Sequence, residues 1–379
     1  MENSEKIVCL DIIEHIRKRP GLYIANTMGG NNMEDGVYSL LREILENSLD
    51  EIKAGFGNKI DITVRGNTFL LRDFGRGIPL DSLPMVITQA HSSGKFDHSV
   101  YQQSIGMHGL GLKVVSALSE HFYCKTIRNG QYRKLVTQRG RVQEDITDIA
   151  REPDGCEIFF QPDPVIFENL QIKMLAIERM LKKYCSANQA LQVNFNGKEL
   201  KCIHGLIDLL VDMVDFGTMV GEPLYLQCGD LECVISQNET ASSQWFSFVN
   251  GHPTGNGGVH VDAVKSALWQ AANKIMKGEH HMKPEDLFST VSGIVSVNID
   301  NPEFEAQTKN RLGNVKLFRN WQMQVHDEIL NYWYTDNSDE CELFFQQVDR
   351  NIEKREKSEA EYNAARINKD LNIKQRKGK

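Results

Sequence analysis

Between residues 41 and 52 apolar side chains recur at three- and four-residue steps: Leu41, Ile44, Leu45, Leu49 and Ile52. That period predicts an amphipathic helix. Neither Gly nor Pro interrupts Leu-Arg-Glu-Ile-Leu-Glu-Asn-Ser-Leu-Asp-Glu over 41–51, and Glu and Leu form helices readily. Glu43, Asn47 and Asp50 stand at i, i+4 and i+7, on a second face. Two readings fit that face. It is a charged outer surface, or it serves a magnesium–nucleotide site, in which an amide oxygen ligates a hard cation and a carboxylate one turn away orients a water.

The remaining pattern alternates strands and helices. Residues 9–18 form a short amphipathic helix, halted by Arg17-Lys18-Arg19-Pro20-Gly21, and Leu22-Tyr23-Ile24 enters a short strand. Lys59 to Val64 alternates as a half-buried strand does. Gly66-Asn67 turns the chain, and Phe69 to Arg72 returns as the partner strand with Asp73 at its end. Residues 84–113 have no period and are rich in Gly, Ser and His, as a lid is. Strands follow at 122–127, 131–136 and 156–160, then a helix at 168–184 and a strand at 191–195. The second half predicts a strand at 244–249, a Gly-rich loop at 250–260, a helix at 261–275 and an apolar strand at 291–297. Helices follow at 316–334 and 340–372, the last turning highly charged after Ile352.

Two further blocks bear on chemistry. Arg72-Asp73-Phe74-Gly75-Arg76-Gly77-Ile78-Pro79 puts a carboxylate at a strand end, where it can accept from the amino group of adenine. Its glycines let the backbone approach a base, although Asp-x-Gly-x-Gly alone is also a plain turn. Gly106-Met107-His108-Gly109-Leu110-Gly111 opens a helix near Leu110, whose first N–H groups suit phosphates. Lys95 could add a point charge there. His108 is either a lid residue near the phosphates or a packed turn histidine. Gly255 to Gly258 lacks the Gly-Lys-Ser/Thr ending of a phosphate loop and reads as a strand-to-helix link.

The helix, the Asp73 block and the Gly106 block, in this order and spacing, resemble the ATP-binding fold shared by gyrase, the heat-shock chaperone, histidine kinases and MutL. Two more segments narrow the resemblance to the B subunits of bacterial type IIA topoisomerases, gyrase and topoisomerase IV. They are Arg17-Lys18-Arg19-Pro20-Gly21-Leu22-Tyr23-Ile24 and Pro302-Glu303-Phe304-Glu305-Ala306-Gln307-Thr308-Lys309-Asn310-Arg311-Leu312. The resemblance runs from roughly residue 7 to 375. It implies an α+β fold: a GHKL (Bergerat-type) α/β sandwich ATPase domain over 1–212, then an α/β transducer domain over 213–379 with a long C-terminal helix. No DNA-cleavage (Toprim) domain is expected.

The resemblance also implies roles and cofactors, ATP and Mg2+. Glu43 would be the general base, Asn47 the magnesium ligand and Asp73 the adenine acceptor, with Asp50, Gly75, Gly77 and Ile78 beside the nucleotide. Lys95, Gly106, His108, Gly109 and Gly111 would form the lid over the phosphates. Gln307 and Lys309 would sense the γ-phosphate, and Arg76 would pair with Glu51. Cys156 stands where the family carries a threonine whose hydroxyl supports the aspartate and adenine through water; a thiol is the weaker donor. The stretch Asp286 to Val291 lacks the family's Arg, Glu and Gly. The short segment before Arg17 has no tyrosine for the arm that crosses to the other protomer.

Charge and cysteines narrow the classes further. A net charge of −8 gives no global field toward nucleic acid; only the tip from Lys374 to Lys379 is basic without acids. The eight cysteines include no Cys-x-x-Cys pair, so structural zinc is not expected and reduced thiols in a cytoplasmic protein are. No apolar run approaches the ~18 residues that span a membrane. The family resemblance, not the composition, implies a homodimer that closes on ATP around DNA, with the DNA-cleaving gyrase A-type protein as partner. Two alternatives stand beside it. A MutL-type repair ATPase would lack the Arg-Lys-Arg-Pro-Gly and Gln-Thr-Lys segments. A diverged non-cleaving paralogue would bind nucleotide or a partner with little turnover.

Overall fold

The computed structural model describes residues 10–30, 35–89, 109–214, 216–276, 282–306, 308–335 and 338–377. The chain divides into two units. Unit 1 is Met1–Gly205 with Phe248–Thr254 and Asn298–Gly313; unit 2 is Leu206–Ser247 with Gly255–Val297 and Asn314–Lys379.

Unit 1 covers a mixed sheet with helices. Its helices are α1 (Ile12–Lys18), α2 (Gly21–Ile24), α3 (Gly36–Lys53), α4 (Leu83–Thr88), α5 (Gly111–Ala117) and α6 (Met174–Ala187). Its strands are β1 (Lys59–Arg65), β2 (Thr68–Asp73), β3 (Ser119–Arg128), β4 (Gln131–Gln138), β5 (Arg141–Ile149), β6 (Gly155–Pro162), β7 (Gln192–Phe195) and β8 (Lys198–Leu200). They are ordered β5-β4-β3-β6-β2-β1-β7-β8. β1 runs parallel to β7 and antiparallel to β2.

Alternation decides which side chains enter the core. Ile60, Ile62 and Val64 of β1 are buried, as are Phe69, Leu71 and Asp73 of β2. Asp73 is therefore the one carboxylate in a row of core-facing positions on β2. Phe69 stacks on Phe160 of β6 with ring centroids 4.5 Å apart. α3 supplies Leu40, Leu41, Ile44, Leu45 and Leu49 to the same core.

Two differences from the sequence pattern have plain causes. Leu22-Tyr23-Ile24 is not a strand but the body of α2, entered through Pro20 at φ −59°; a proline already holds the dihedral that starts a helix. β5 has no counterpart in the alternation because all nine of its positions are exposed. It is held at the sheet edge by the β4 ladder and by Arg133–Asp145 at 2.7 Å.

Unit 2 contains α7 (Leu206–Met213), β9 (Met219–Cys228), β10 (Leu231–Asn238) and β11 (Trp245–Val249), the last reaching into unit 1 with its final residues. The short β12 (His252–Pro253) folds back on Phe248 and Val249 and is counted with unit 1. Then come α8 (Val259–Met276), α9 (Pro284–Phe288), β13 (Val291–Val297), α10 (Phe318–Thr335) and α11 (Ser338–Lys377). β13 is buried at all seven positions, as a central strand with both faces covered must be. Gly293 within it leaves room for the Trp245 ring, which a Cβ would meet at 2.6 Å. At its apolar start α11 packs Phe344 and Phe345 against Trp333, with centroids 5.1 and 5.2 Å away. Buried Asp286 anchors the next turns by accepting from Arg355 Nε at 2.8 Å. From Glu356 to Arg366 every side chain is exposed.

Candidate functional site

The strand β2 delivers Asp73 to the end of its ladder, where it is 6% exposed. Its Oδ1 accepts from the backbone N–H groups of Gly75 (3.0 Å) and Cys156 (3.1 Å). Its Oδ2 accepts from Ser48 Oγ at 3.2 Å. Burial raises the Asp73 pKa above the ordinary value, although these donors and Arg72 pull the other way. The hydroxyl beside the aspartate thus comes from Ser48 on α3. Cys156 contributes its backbone N–H, and its Sγ lies 3.8 Å from Thr126 Oγ1.

The glycines after Asp73 fit a tight path. Gly77 has φ +72°, and a Cβ there would collide with the Ile127 carbonyl. Thr126 Oγ1 donates to the Ile78 carbonyl at 2.8 Å and fixes the same turn. Arg76 grips Glu51 with two bonds of 3.1 Å, Nε to Oε2 and Nη2 to Oε1, and lies 3.8 Å over the Phe56 ring. The expected pair is therefore present, and it braces the wall beside Gly75.

α3 carries the other expected groups. Glu43 and Asn47 are half-buried, and Asp50 is buried. Gly111, the first residue of α5, faces Glu43 so closely that a Cβ would collide with Glu43 Oε2. Gly109 takes φ +59°, and its carbonyl accepts from the buried Lys113 ammonium; burial lowers the Lys113 pKa to about 8. Lys95, Gly106, His108 and Gln307 lie outside the described residues.

Lys309 belongs to the Asn298–Gly313 segment of unit 1, at φ +54°. A non-glycine residue there is strained, a feature of functional loops. The residue is 4% exposed, and its ammonium meets Glu46 Oε2 at 3.2 Å. Glu46 Oε1 accepts from Tyr184 Oη at 2.8 Å and from His252 Nδ1. Burial alone would raise the Glu46 pKa, but His252 and then Lys309 hold it well below the usual carboxylate range. Burial likewise opposes the charge on Lys309, yet Glu46 and then Glu43 keep its pKa above the ordinary lysine value.

Ser48, Glu46, Tyr184, Thr126 and His252 were not singled out by the sequence pattern. Glu46 sits off the apolar stripe of α3, so periodicity puts it at the surface; the segments 248–254 and 298–313 of unit 1 cover it instead. The one available signal is the histidine inside the turn Asn250-Gly251-His252-Pro253, where solvent demands none.

Comparison with known proteins places this arrangement. Residues 32–162 match the model described as histidine kinase-, DNA gyrase B-, and HSP90-like ATPase. Residues 216–364 match the model described as DNA gyrase B. The B subunit of DNA topoisomerase 4 from Borreliella burgdorferi is 32% identical over 334 residues, covering 88% of this chain and 55% of the relative. The chain belongs to the DNA gyrase B family. The B subunit of DNA gyrase from the same organism is 31% identical, covering 86% of this chain and 56% of its own length. The ATPase region of Saccharomyces cerevisiae topoisomerase II has the same fold, with a TM-score of 0.73 at 20% identity, covering 91% of this chain and 99% of that one. The α+β architecture expected from the sequence, with its long C-terminal helix, is the one observed. The chain spans about half the length of the curated relatives it matches. Among the described residues no helix is long and apolar enough to cross a membrane.

Proposed function

We propose that this chain binds and hydrolyses Mg-ATP as the ATPase part of the B subunit of a type II topoisomerase. The observation that carries the reading is the arrangement within unit 1. Glu43 and Asn47 share one face of α3 beside the Gly109–Gly111 turn, and Asp73, held by Ser48 of the same helix, is buried at the end of β2.

In this reading Asp73 accepts from the adenine amino group, and Gly75, Gly77 and Ile78 line the base, with Asp50 near the nucleotide. Glu43 orients the attacking water and takes its proton. Gly109 and Gly111 keep the turn narrow enough for backbone N–H groups to face the phosphates, joined by Lys95, Gly106 and His108. Gln307 and Lys309 read the γ-phosphate. Cys156 supports the adenine end through its backbone. Catalysis of phosphoryl transfer then rests mostly on positioning and charge stabilisation.

The residues present suit magnesium. Asn47 offers a hard amide oxygen, and among the described residues no group of three His, Cys, Asp or Glu forms a cage. Mg2+ usually takes one or two protein oxygens and otherwise holds waters and substrate phosphates. Bound there by Asn47, it would neutralise phosphate charge.

Beyond one chain, we propose that ATP closes two copies into a clamp on DNA and that hydrolysis reopens it, in the cytoplasm and together with a DNA-cleaving protein of the gyrase A type. The names of the relatives support this. Two measurements test the proposal. Glu43→Gln should lower ATP turnover by ~100-fold or more, the range of general acid–base catalysis, with nucleotide affinity little changed; an equal loss of binding would remove Glu43 from the role of base. Turnover per chain of the unmodified protein should rise with protein concentration, as dimer-limited hydrolysis requires. A bound nucleotide with no turnover at any concentration would favour a diverged paralogue.

A further inference from the structure

The segment Arg17-Lys18-Arg19-Pro20-Gly21 has no part in the proposed hydrolysis, yet its first arginine reaches into unit 1. Arg17 stands in the last turn of α1. Its Nη1 donates to the Ala117 carbonyl at 2.7 Å, and its Nη2 donates to Asp163 Oδ2 at 2.7 Å. Ala117 is the last residue of α5, and Asp163 directly follows β6. The Arg17 side chain is 23% exposed and that of Asp163 is fully buried.

These contacts answer a local need. The last carbonyls of a helix have no partner within it. At the end of α5, Val114 O accepts from the Leu118 N–H at 3.0 Å, Val115 O from Ser119 Oγ at 2.6 Å, and Ala117 O from Arg17. The next carbonyl, of Leu118, accepts from the Asp163 N–H at 2.9 Å. Two of these donors come from segments distant in the chain, so α1 and the end of β6 dock the C-terminal end of α5. A guanidinium there also complements the negative end of the helix dipole. Packing agrees, since a Cβ at Gly140 would meet Ile13 Cγ2 of α1 at 2.5 Å and Ala117 Cα at 3.1 Å.

The opposite end of α5 is the one the proposed function uses. Gly111 faces Glu43 there with no room for a Cβ. The helix has seven residues. At 1.5 Å per residue it is ~10 Å long, so a tilt of about 6° about the docked end displaces Gly111 by ~1 Å. A misplacement of that size, caused far from the chemistry, can cost ~100-fold in rate.

We propose that Arg17 is a positioning residue for ATP hydrolysis. By holding the Ala117 carbonyl and Asp163 together, it sets the tilt of α5 and so the place of the Gly109–Gly111 turn beside Glu43. This rests on the reading of Glu43 as the base and of that turn as the phosphate contact. Arg17 touches neither nucleotide nor water and acts through α5. A lysine would not replace it fully, because one ammonium lacks the planar fork that serves two acceptors. Arg139 shares the Asp163 carboxylate, with Nε 3.0 Å from Oδ2. Removing Arg17 therefore leaves that buried charge with a cation beside it.

The test compares Arg17→Gln, Arg17→Lys and Arg139→Gln in the full chain. The readouts are steady-state ATP turnover and the dissociation constants of adenosine, ADP and a non-hydrolysable ATP analogue. Arg17→Gln should lower kcat by ~10-fold or more and weaken ADP and the analogue several-fold. Adenosine affinity should stay unchanged, because Asp73 is held by Gly75, Cys156 and Ser48. Arg17→Lys should fall between Arg17→Gln and the unmodified chain. Arg139→Gln loosens the same carboxylate without a side-chain bond to α5, and it should match the unmodified chain. Adenosine weakened as much as the nucleotides would show a merely structural role and overturn the proposal. An undiminished kcat in Arg17→Gln, or an equal loss in Arg139→Gln, overturns it too. Should Arg17→Gln fail to fold, an undiminished kcat in Arg17→Lys is the overturning result. The reading beneath fails separately: an unmodified chain that binds ADP no more tightly than adenosine would overturn the phosphate role of the turn, and this proposal with it.

Discussion

Asp73 and Glu46 are both carboxylates of unit 1, and both are more than nine-tenths buried. Their environments push them in opposite directions. Asp73 meets two backbone N–H groups and a hydroxyl, and burial prevails, so its pKa rises. Glu46 meets a lysine, a histidine and a phenol, and the charges prevail, so its pKa falls. Burial alone therefore does not set the protonation of a side chain; the charge of the partners does. In the proposed function the difference has a use. One carboxylate reads a neutral amino group on the base, and the other restrains the cation that reads a phosphate.

The sharpest way to break the contrast is Glu46→Gln. It leaves the Lys309 ammonium buried without its counter-charge and should cost about 3 kcal/mol of folding stability at neutral pH, the usual scale for breaking a buried pair. Urea unfolding measures it. Because the folded-state pKa of Glu46 is depressed, its contribution is present above the unfolded carboxylate value and is lost as pH falls through the folded one. The gap between Glu46→Gln and the unmodified chain should therefore close in acid.

Asp73→Asn is the mirror case. The amide keeps an oxygen for Gly75 and Cys156 but presents an N–H₂ where adenine would donate, so nucleotide affinity should drop by ~10-fold or more, the worth of a hydrogen bond to a charged group. A raised folded-state pKa costs stability as pH rises through it. Removing the charge should thus leave thermal stability at pH 7 unchanged or higher. A large loss of stability would contradict the assignment of that carboxylate.

A smaller effect concerns Lys113, whose pKa falls to about 8 from 10.5 through burial. Between those values the unfolded chain binds a proton that the folded chain does not, so this lysine makes stability rise with pH by up to ~1.4 kcal/mol per unit. Lys113→Met should flatten the slope over that window in alkaline unfolding curves. Ser48→Ala should cost least, about 1 kcal/mol, for one buried hydrogen bond to Asp73; no change in nucleotide affinity would show that Ser48 only supports the strand end.

The two carboxylates also differ in how far the sequence exposed them. Asp73 lies two residues from Gly75, and the block around it carries its own turn chemistry, so motif and alternation together locate it. Cys156, a distant partner in number, arrives through the antiparallel ladder of β2 and β6, which pairs Arg72 with Glu157. The partners of Glu46 lie 138, 206 and 263 positions away. No periodicity links α3 to a turn at 252 or to Lys309, and a single chain gives no sign that those segments return to unit 1. α2 and β5 were missed for local reasons: a proline that starts a helix without extending it, and an edge strand with no buried face. The long helices and the apolar strand β13 were legible because each buries a continuous stripe or both faces.

The most direct test of the account is to measure four affinities: Asp73→Asn and Lys309→Met, each with ADP and with a non-hydrolysable triphosphate. Asp73→Asn should weaken both nucleotides by the same factor, whereas Lys309→Met should weaken the triphosphate alone. Equal weakening of both nucleotides by Lys309→Met would contradict it, because the Glu46 cluster would then belong to the scaffold of the site and not to the reading of the γ-phosphate.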